Sequence, residues 1–323
     1  MKQTQRLGID QLDQAARILA DGGLVAFPTE TVFGIGASAT KGASVAEIFR
    51  AKGRPSDNPL IVHVAHRDQL SAICSEVSSL AERLLARFSP GPLTLVLPKR
   101  DSISNLVTAG LSTVAVRIPR HPTALRLLEL AGIPIAAPSA NRSGKPSGTT
   151  WQSVLEDLDG RIDAIICDDT AGQIGLESTV LDITHVPPRI LRMGAITLND
   201  LRAFDPEVDW QTLDASTDLE RNDLNSPGLR HPHYKPRATV KLCDDPEQLP
   251  AKTGQAYIGL DVWKDAPAGS VVQICSDVRT YAAMFYEFLR QADRAGVEVV
   301  WCQRVPRVEL GCALMDRIER AAA

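Results

Sequence analysis

Along the chain, short apolar runs alternate with segments in which apolar residues recur every three or four positions. Over 9–20, Leu12, Ala15, Ala16 and Leu19 share one face, the spacing of an amphipathic helix, and Asp21-Gly22-Gly23 ends it. Helical spacing returns over 43–51, 69–88, 123–131 and 151–158. The apolar runs 24–27, 60–64, 93–97, 113–118, 133–136, 164–167, 178–183 and 189–192 read as strands. Strands do not alternate strictly with helices, so the pattern predicts an α/β domain with a mixed, twisted sheet rather than a pure doubly wound one. From 205 to 237 the pattern fails. That stretch is polar and carries Pro227, Pro232 and Pro236, the mark of a long linker that serves as a spacer or a functional lid. Beyond it, apolar runs at 240–242, 256–260, 271–274 and 297–301 surround a helical stretch at 281–295. This order predicts a smaller, Rossmann-like α/β unit. The expected organisation is a catalytic domain over 1–205, a linker and candidate lid over 206–237, and a second domain over 238–323.

Composition narrows the class. At 323 residues, 44% hydrophobic and 23% charged, the chain is an ordinary globular protein of two cores. Aromatics make up 5% and the net charge is −4, which disfavours a stacking platform for single-stranded nucleic acid and shows no basic arm or tail. Cys74, Cys167, Cys243, Cys275, Cys302 and Cys312 form no C-x-x-C and no zinc spacing; buried reduced thiols are expected. No run approaches the length of about 18 apolar residues that a membrane span needs. No signal-peptide pattern opens the sequence. A cytoplasmic location with no membrane role is expected.

Three segments are richer in chemistry than a scaffold requires. In Phe27-Pro28-Thr29-Glu30-Thr31-Val32-Phe33-Gly34 a strand ends in hydroxyls and a carboxylate, a composition that suits a small polar ligand, though an ordinary turn with a capping threonine explains it as well. In Lys52-Gly53-Arg54-Pro55-Ser56-Asp57-Asn58-Pro59 two cations flank a glycine and prolines stiffen the path. Helix-dipole complementarity accounts for the cations but not for the rigid polar run, whereas phosphate contact accounts for both. In 136–148 a buried strand passes abruptly into Pro138-Ser139-Ala140-Asn141-Arg142-Ser143-Gly144-Lys145, the make-up of a phosphate or carboxylate nest. Arg117 sits in an apolar run and so needs an anionic partner, for which a substrate carboxylate would serve. His63, Ser178 and Arg192 are open to structural or functional use. Gly34-Ile35-Gly36-Ala37-Ser38-Ala39 matches a dinucleotide fingerprint, but it does not follow the first strand directly and is read as a decoy. No P-loop and no G-x-S-x-G occur. His231 and His233 lack acidic or thiol companions and read as a solvated loop.

Taken together, Pro28-Thr29-Glu30-Thr31, Lys52-Gly53-Arg54-Pro55, Ser139-Ala140-Asn141 and Glu177-Ser178-Thr179-Val180 resemble the YrdC-type catalytic domain of the threonylcarbamoyl-AMP synthase family. Ser226-Pro227-Gly228-Leu229-Arg230-His231-Pro232-His233-Tyr234 is similar to the linker of its two-domain form. The resemblance covers nearly the whole chain and is weakest in the C-terminal domain. It implies that Thr31, His63, Arg117, Ser178 and the backbone of Ala137 hold L-threonine. Arg54, Asn58, Thr113, Ser139, Ser147, Arg192 and Tyr234 would hold ATP. Lys52, Arg54, Ser139 and Asn141 would surround the reacting groups. The implied substrates are L-threonine, bicarbonate and ATP, with Mg2+ bound mainly through ATP and no dedicated protein cage. The implied consumer of the product is a tRNA-modification complex, and a weak tRNA contact is left open. Two rival readings are an RNA-binding module and a carbamoyl-transfer enzyme acting on carbamoyl phosphate.

Overall fold

The computed structural model describes residues 3–212 and 234–323. The first part is built on one mixed sheet. Its elements are β1 (Gln5–Leu7), α1 (Leu12–Asp21), β2 (Val25–Phe27), β3 (Gly34–Ser38), α2 (Gly42–Lys52), β4 (Ile61–His63), α3 (Ser79–Phe88), β5 (Leu93–Pro98), α4 (Asn105–Thr108), β6 (Thr113–Arg117), α5 (Pro122–Ala131), β7 (Ile135–Ala136), α6 (Trp151–Leu158), β8 (Ala164–Ile166), β9 (Thr179–Asp182), β10 (Arg189–Arg192), α7 (Leu198–Phe204) and β11 (Gln211–Thr212). The strand order is β1-β8-β2-β3-β7-β4-β6-β5-β9-β10-β11. Parallel pairs (β4 with β6, β5 with β9) mix with antiparallel ones (β3 with β7, β4 with β7, β5 with β6), as the irregular strand and helix sequence predicts.

Alternation along the strands splits the core in two. Val25, Phe27 and Ile135 pack under α1 and α5, whose Leu12, Ala15, Leu19, Ala124 and Leu128 face them. Ala26, Val62 and Ala136 face the other way, under α2, α3 and α6. The helix α1 ends where Gly22 takes the left-handed conformation, φ 100°, and its N–H caps the carbonyls of Ile18 and Leu19. The G-x-G-x-x-A segment is a strand: at Gly36 a Cβ would lie 2.8 Å from Ile135 and 3.0 Å from Phe27. Close packing, not a dinucleotide, demands this glycine.

The helix expected over 69–88 is broken. A short 3-10 turn occupies Arg67–Ala72 and α3 starts only at Ser79, capped by Ser78. Between them Ile73 and Cys74 are buried, and Cys74 bridges Lys99 beyond the end of β5. This pairing competes successfully with helix continuation. The large sheet also runs past residue 205 to Thr212, through β11 paired with β10.

The second part comprises β12 (Thr239–Cys243), β13 (Gln255–Gly259), β14 (Val271–Ile274), α8 (Val278–Ala295), β15 (Val299–Gln303) and α9 (Leu310–Ala322). All its strand pairs are parallel, in the order β12-β15-β13-β14. Both helices bury one face against this sheet, through Phe285, Leu289, Leu314 and Ile318. They also reach the larger part. Val32, Leu176 and Tyr234 belong to the same apolar cluster. At Gly175, φ 76°, a Cβ would lie 2.3 Å from Ala283 on α8, so the approach of this helix requires glycine there. The expected lid over 226–234, including His231 and His233, lies outside the described residues except for Tyr234.

Candidate active site

The three polar segments converge on one cleft at the middle of the large sheet. The loop after β2 supplies Thr31. Thr29 folds that loop by donating to the Val32 carbonyl at 2.6 Å and accepting from the Val32 N–H at 3.2 Å, a side-chain-closed turn in place of sheet pairing. His63 ends β4 directly opposite Arg117, which ends β6. Arg117 donates to Thr31 Oγ1 at 2.9 Å and to the Gly91 carbonyl at 3.3 Å. Its Nη2 lies 2.9 Å from Glu30 Oε1, and both side chains are buried. The anionic partner that Arg117 requires is thus within the chain, and the guanidinium meets any substrate with its charge already balanced. Burial pushes the Glu30 carboxyl up, but the Arg117 charge and backbone N–H groups outweigh it and hold Glu30 below its usual value. Burial and then the Arg117 charge push His63 down to about 3. The imidazole is neutral at physiological pH, its Nδ1 without a hydrogen-bond partner.

The opposite end of the cleft is cationic and rich in hydroxyls. Arg54 follows α2, whose last turn is closed by Gly53 in the left-handed region, φ 61°. Arg54 Nη2 lies 3.3 Å from the carbonyls of both Asn58 and Pro59, and burial draws its pKa down only to about 10, so it stays charged. Arg192 donates through Nε and Nη2 to the Ser178 carbonyl at 3.1 and 2.9 Å, and to Ser178 Oγ at 3.1 Å. Ser147 donates to Glu177 Oε1 at 2.7 Å. Asn141 spends its amide hydrogens on the carbonyls of Arg142 and Lys145, while its Oδ1 has no partner. Ser139 bridges Gly34 of β3. Tyr234 completes the wall at φ 69°.

The cleft therefore brings together Thr31, His63, Arg117, Ala137 and Ser178 with Arg54, Ser139, Asn141, Ser147, Arg192 and Tyr234. The Ala137 N–H is taken by the Ile61 carbonyl at 2.8 Å, which leaves its carbonyl as the backbone group it can offer. Lys52, Asn58 and Thr113 do not line the cleft. Lys52 is buried behind the wall and donates to the carbonyls of Ser139 at 2.5 Å and Asn141 at 2.6 Å. It shapes the loop that the cleft uses. Burial first, and then the neighbouring Arg54 charge, push its pKa well below the usual lysine value. Asn58 is fully buried, and Thr113 starts β6 opposite Pro98, at the far end of that strand from Arg117.

Sequence patterns singled out no role for Glu30, nor for three residues of the second part, Tyr286, Arg290 and Arg317. Tyr286 and Arg317 reach Glu177, and Arg290 grips the Pro146 carbonyl at 2.5 Å beside Ser147. Tyr286 and Arg290 sit on α8, whose spacing predicts only a helical stretch, and Arg317 sits on α9, which lies beyond the last element that the pattern assigned.

Strand ends that gather arginines, hydroxyls and an amide round one deep cleft define an α/β enzyme for small charged substrates. Comparison with known proteins specifies the family. Residues 17–194 match the family model described as Telomere recombination, of the Sua5, YciO and YrdC proteins. Residues 196–323 match the threonylcarbamoyl-AMP synthase C-terminal domain. The threonylcarbamoyl-AMP synthase of Pyrococcus abyssi is 42% identical over 95% of this chain and 93% of its own length. That of Bacillus subtilis is 41% identical over 97% and 93%. The structure of P. abyssi Sua5 complexed with L-threonine superposes with a TM-score of 0.88 at 39% identity, covering 100% of this chain and 97% of that one. The chain belongs to the two-domain threonylcarbamoyl-AMP synthase family, a family of transferase-type enzymes.

Proposed function

We propose that the cleft condenses L-threonine, bicarbonate and ATP into threonylcarbamoyl-AMP and pyrophosphate. The carrying observation is that one cavity joins a charge-balanced, hydroxyl-rich end to a cationic end. The first, built from Thr31, His63, Ser178, the Ala137 carbonyl and the neutral Arg117–Glu30 pair, suits a zwitterionic amino acid. The second, with Arg54, Arg192, Ser139, Asn141, Ser147 and Tyr234, suits a triphosphate. Between them the threonine amine attacks the bicarbonate carbon and one C–O bond of bicarbonate breaks, giving a carbamate and releasing water. A carbamate oxygen attacks the α-phosphorus, and the bond from that phosphorus to the bridging oxygen breaks to release pyrophosphate. The charge that builds up there is met by preorganised cations and amides rather than by a protein nucleophile.

Mg2+ fits this reading as part of the ATP substrate. Among the described residues no three His, Cys, Asp or Glu side chains gather into a cage. Glu30 and Glu177 each face an arginine. The ion would neutralise phosphate charge and be held by ATP oxygens.

Among the described residues no helix is long and apolar enough to cross a membrane. A cytoplasmic enzyme that passes its adenylate to a tRNA-modification complex agrees with that and with the family. The test is incubation with ATP, Mg2+, bicarbonate and single amino acids, with the products identified by mass spectrometry. Pyrophosphate and threonylcarbamoyl-AMP appearing only when L-threonine and bicarbonate are both present is the expected result. Equal pyrophosphate release without threonine overturns the assignment.

A further inference from the structure

The carboxylate of Glu177 lines the nucleotide end of the cleft. Alone, an ionised carboxylate there would repel a triphosphate. It is nonetheless kept ionised. Burial pushes it up, but the charges of Arg317 and Arg192 and the Ser147 hydroxyl hold it at about 2. The largest opposing charge is Arg317, which belongs to α9 of the second part. Arg317 is 1% exposed. Its Nε lies 3.1 Å from Glu177 Oε2, its Nη2 donates to the Met193 carbonyl at 2.9 Å, and its Nη1 pairs with Asp316, which Arg320 also holds at 2.9 Å. Its guanidinium carbon stands 5.7 Å from the centroid of the Tyr234 ring. From α8, Tyr286 donates to Glu177 Oε2 at 3.0 Å and stacks on Tyr234 at 5.1 Å between centroids. Glu177 in turn accepts from Ser147 at 2.7 Å. Two residues expected to touch ATP, Ser147 and Tyr234, are therefore set by a cluster whose cation comes from the C-terminal helix.

We propose that Arg317 is a positioning residue of the nucleotide site: it cancels the charge of Glu177, so that Glu177 can orient Ser147 without repelling ATP. The second part of the chain is thereby a component of the active site, and the cleft is incomplete without α9. The role rests on the reading of this end of the cleft as the ATP end.

The test is a cycle of Arg317→Gln, Glu177→Gln and the double variant in the full-length enzyme. KM for ATP and for L-threonine and kcat are read from pyrophosphate release, with unfolding followed in parallel. Arg317→Gln leaves a buried carboxylate unpaired beside the phosphates, and the ATP KM should rise about tenfold or more while the threonine KM stays within about twofold. In the Glu177→Gln background no carboxylate charge remains at this end of the cleft, since Asp316, the other partner of Arg317, does not line it, so adding Arg317→Gln should change the ATP KM by less than about threefold. A purely structural arginine would lower the unfolding midpoint and leave both KM values unmoved. If Arg317→Gln alone does not fold, the comparison of Glu177→Gln with the double variant, in which position 177 is uncharged and Asp316 keeps Arg320, decides. An unchanged ATP KM in folded Arg317→Gln overturns the proposal. So does a double variant about tenfold worse than Glu177→Gln. The wild-type control separates the two readings. If wild-type turnover needs no threonine, the assignment of the site falls and this role with it. If wild type needs threonine and Arg317→Gln keeps its ATP KM, only the role of Arg317 falls.

Discussion

The large sheet and the small sheet each bring polar side chains to the ends of their strands, and they finish them differently. At the end of β15, Gln303 accepts from the N–H groups of Leu260 and Asp261 at 2.7 and 3.0 Å and from the Tyr257 hydroxyl at 3.0 Å. Its own amide donates to Asp261 Oδ2 at 2.5 Å. A Cβ at Gly259 would sit 2.6 Å from Gln303 Oε1, so the crevice is filled by its own side chains. In the large sheet, His63 Nδ1, Asn141 Oδ1 and Arg54 Nε are buried without hydrogen-bond partners, and three arginines are drawn to one cleft. Buried polar groups cost free energy unless paired. A site that holds valence open for substrates carries that cost, while a structural crevice closes it. Trp263 Nε1 and Ser270 Oγ of the small part are also buried without hydrogen-bond partners, so what sets the candidate site apart is that such groups gather with three arginines round one cleft.

The comparison predicts that removing a charge from the large cleft costs more than removing a polar group from the small crevice. Glu30→Ala orphans the buried Arg117 guanidinium and should destabilise the protein by about 3–5 kcal/mol in urea unfolding. A loss under about 1 kcal/mol would show that Arg117 does not depend on its ion pair. Arg54→Ala removes a charged contact from a loop, with no core cavity. Cooperative unfolding should persist while kcat/KM for ATP falls about ten- to a hundredfold, equivalent to about 1.5–3 kcal/mol. Near-normal turnover would remove Arg54 from the site.

A third prediction concerns pH. The His63 pKa is about 3 when folded, against 6.5 for the free side chain. Between these values the unfolded chain binds a proton that the native state refuses, so stability falls as pH drops below 6.5. From pH 7 to 5 the loss from this group is about 2 kcal/mol. His63→Gln, placed beside the same Glu30 and Arg117, should unfold with a flatter pH dependence over that interval. An identical slope for both proteins contradicts a neutral, buried His63. The smallest effect is expected from Gln303→Ala. Asp261 is exposed and water can reach its side of the crevice, so about 1 kcal/mol of stability should be lost. The KM values for ATP and L-threonine should not move. A changed ATP KM would mean that the small crevice communicates with the cleft and would end the contrast.

Most strands and the amphipathic helices were legible from periodicity, because burial of one face imposes a spacing that survives in any tertiary context. The break before α3 was not, because it depends on Cys74 meeting Lys99 beyond the end of β5. The strand β3 was hidden by its glycines, whose reason is the nearness of Phe27 and Ile135. The helix α9 lies beyond 297–301, the last element that the pattern assigned, and was missed. Of the residues that line the cleft, Ser139 and Asn141 were visible as an abrupt change from apolar to polar composition, and Thr31 and Arg54 as polar runs stiffened or ended by proline, whereas Ser178 was open to structural or functional use. Lys52, read from the same motif, proves to brace the Ser139–Asn141 loop from behind.

By itself, the sequence determined the α/β class and marked the polar loops that meet at the cleft. Each of these follows from local composition and spacing. Pairing between distant buried charges was decided only by tertiary structure. Arg117 could have waited for a substrate carboxylate, and it is Glu30 that stands 2.9 Å away. Glu177 could have been an ordinary motif acid, and it is Arg317, contributed by the last helix, that balances it at 3.1 Å. A buried charge announces that it needs a partner, but desolvation acts through space and not along the chain. For Arg117 the pairing of the large sheet identifies which group answers, and for Glu177 the packing of α9 against it.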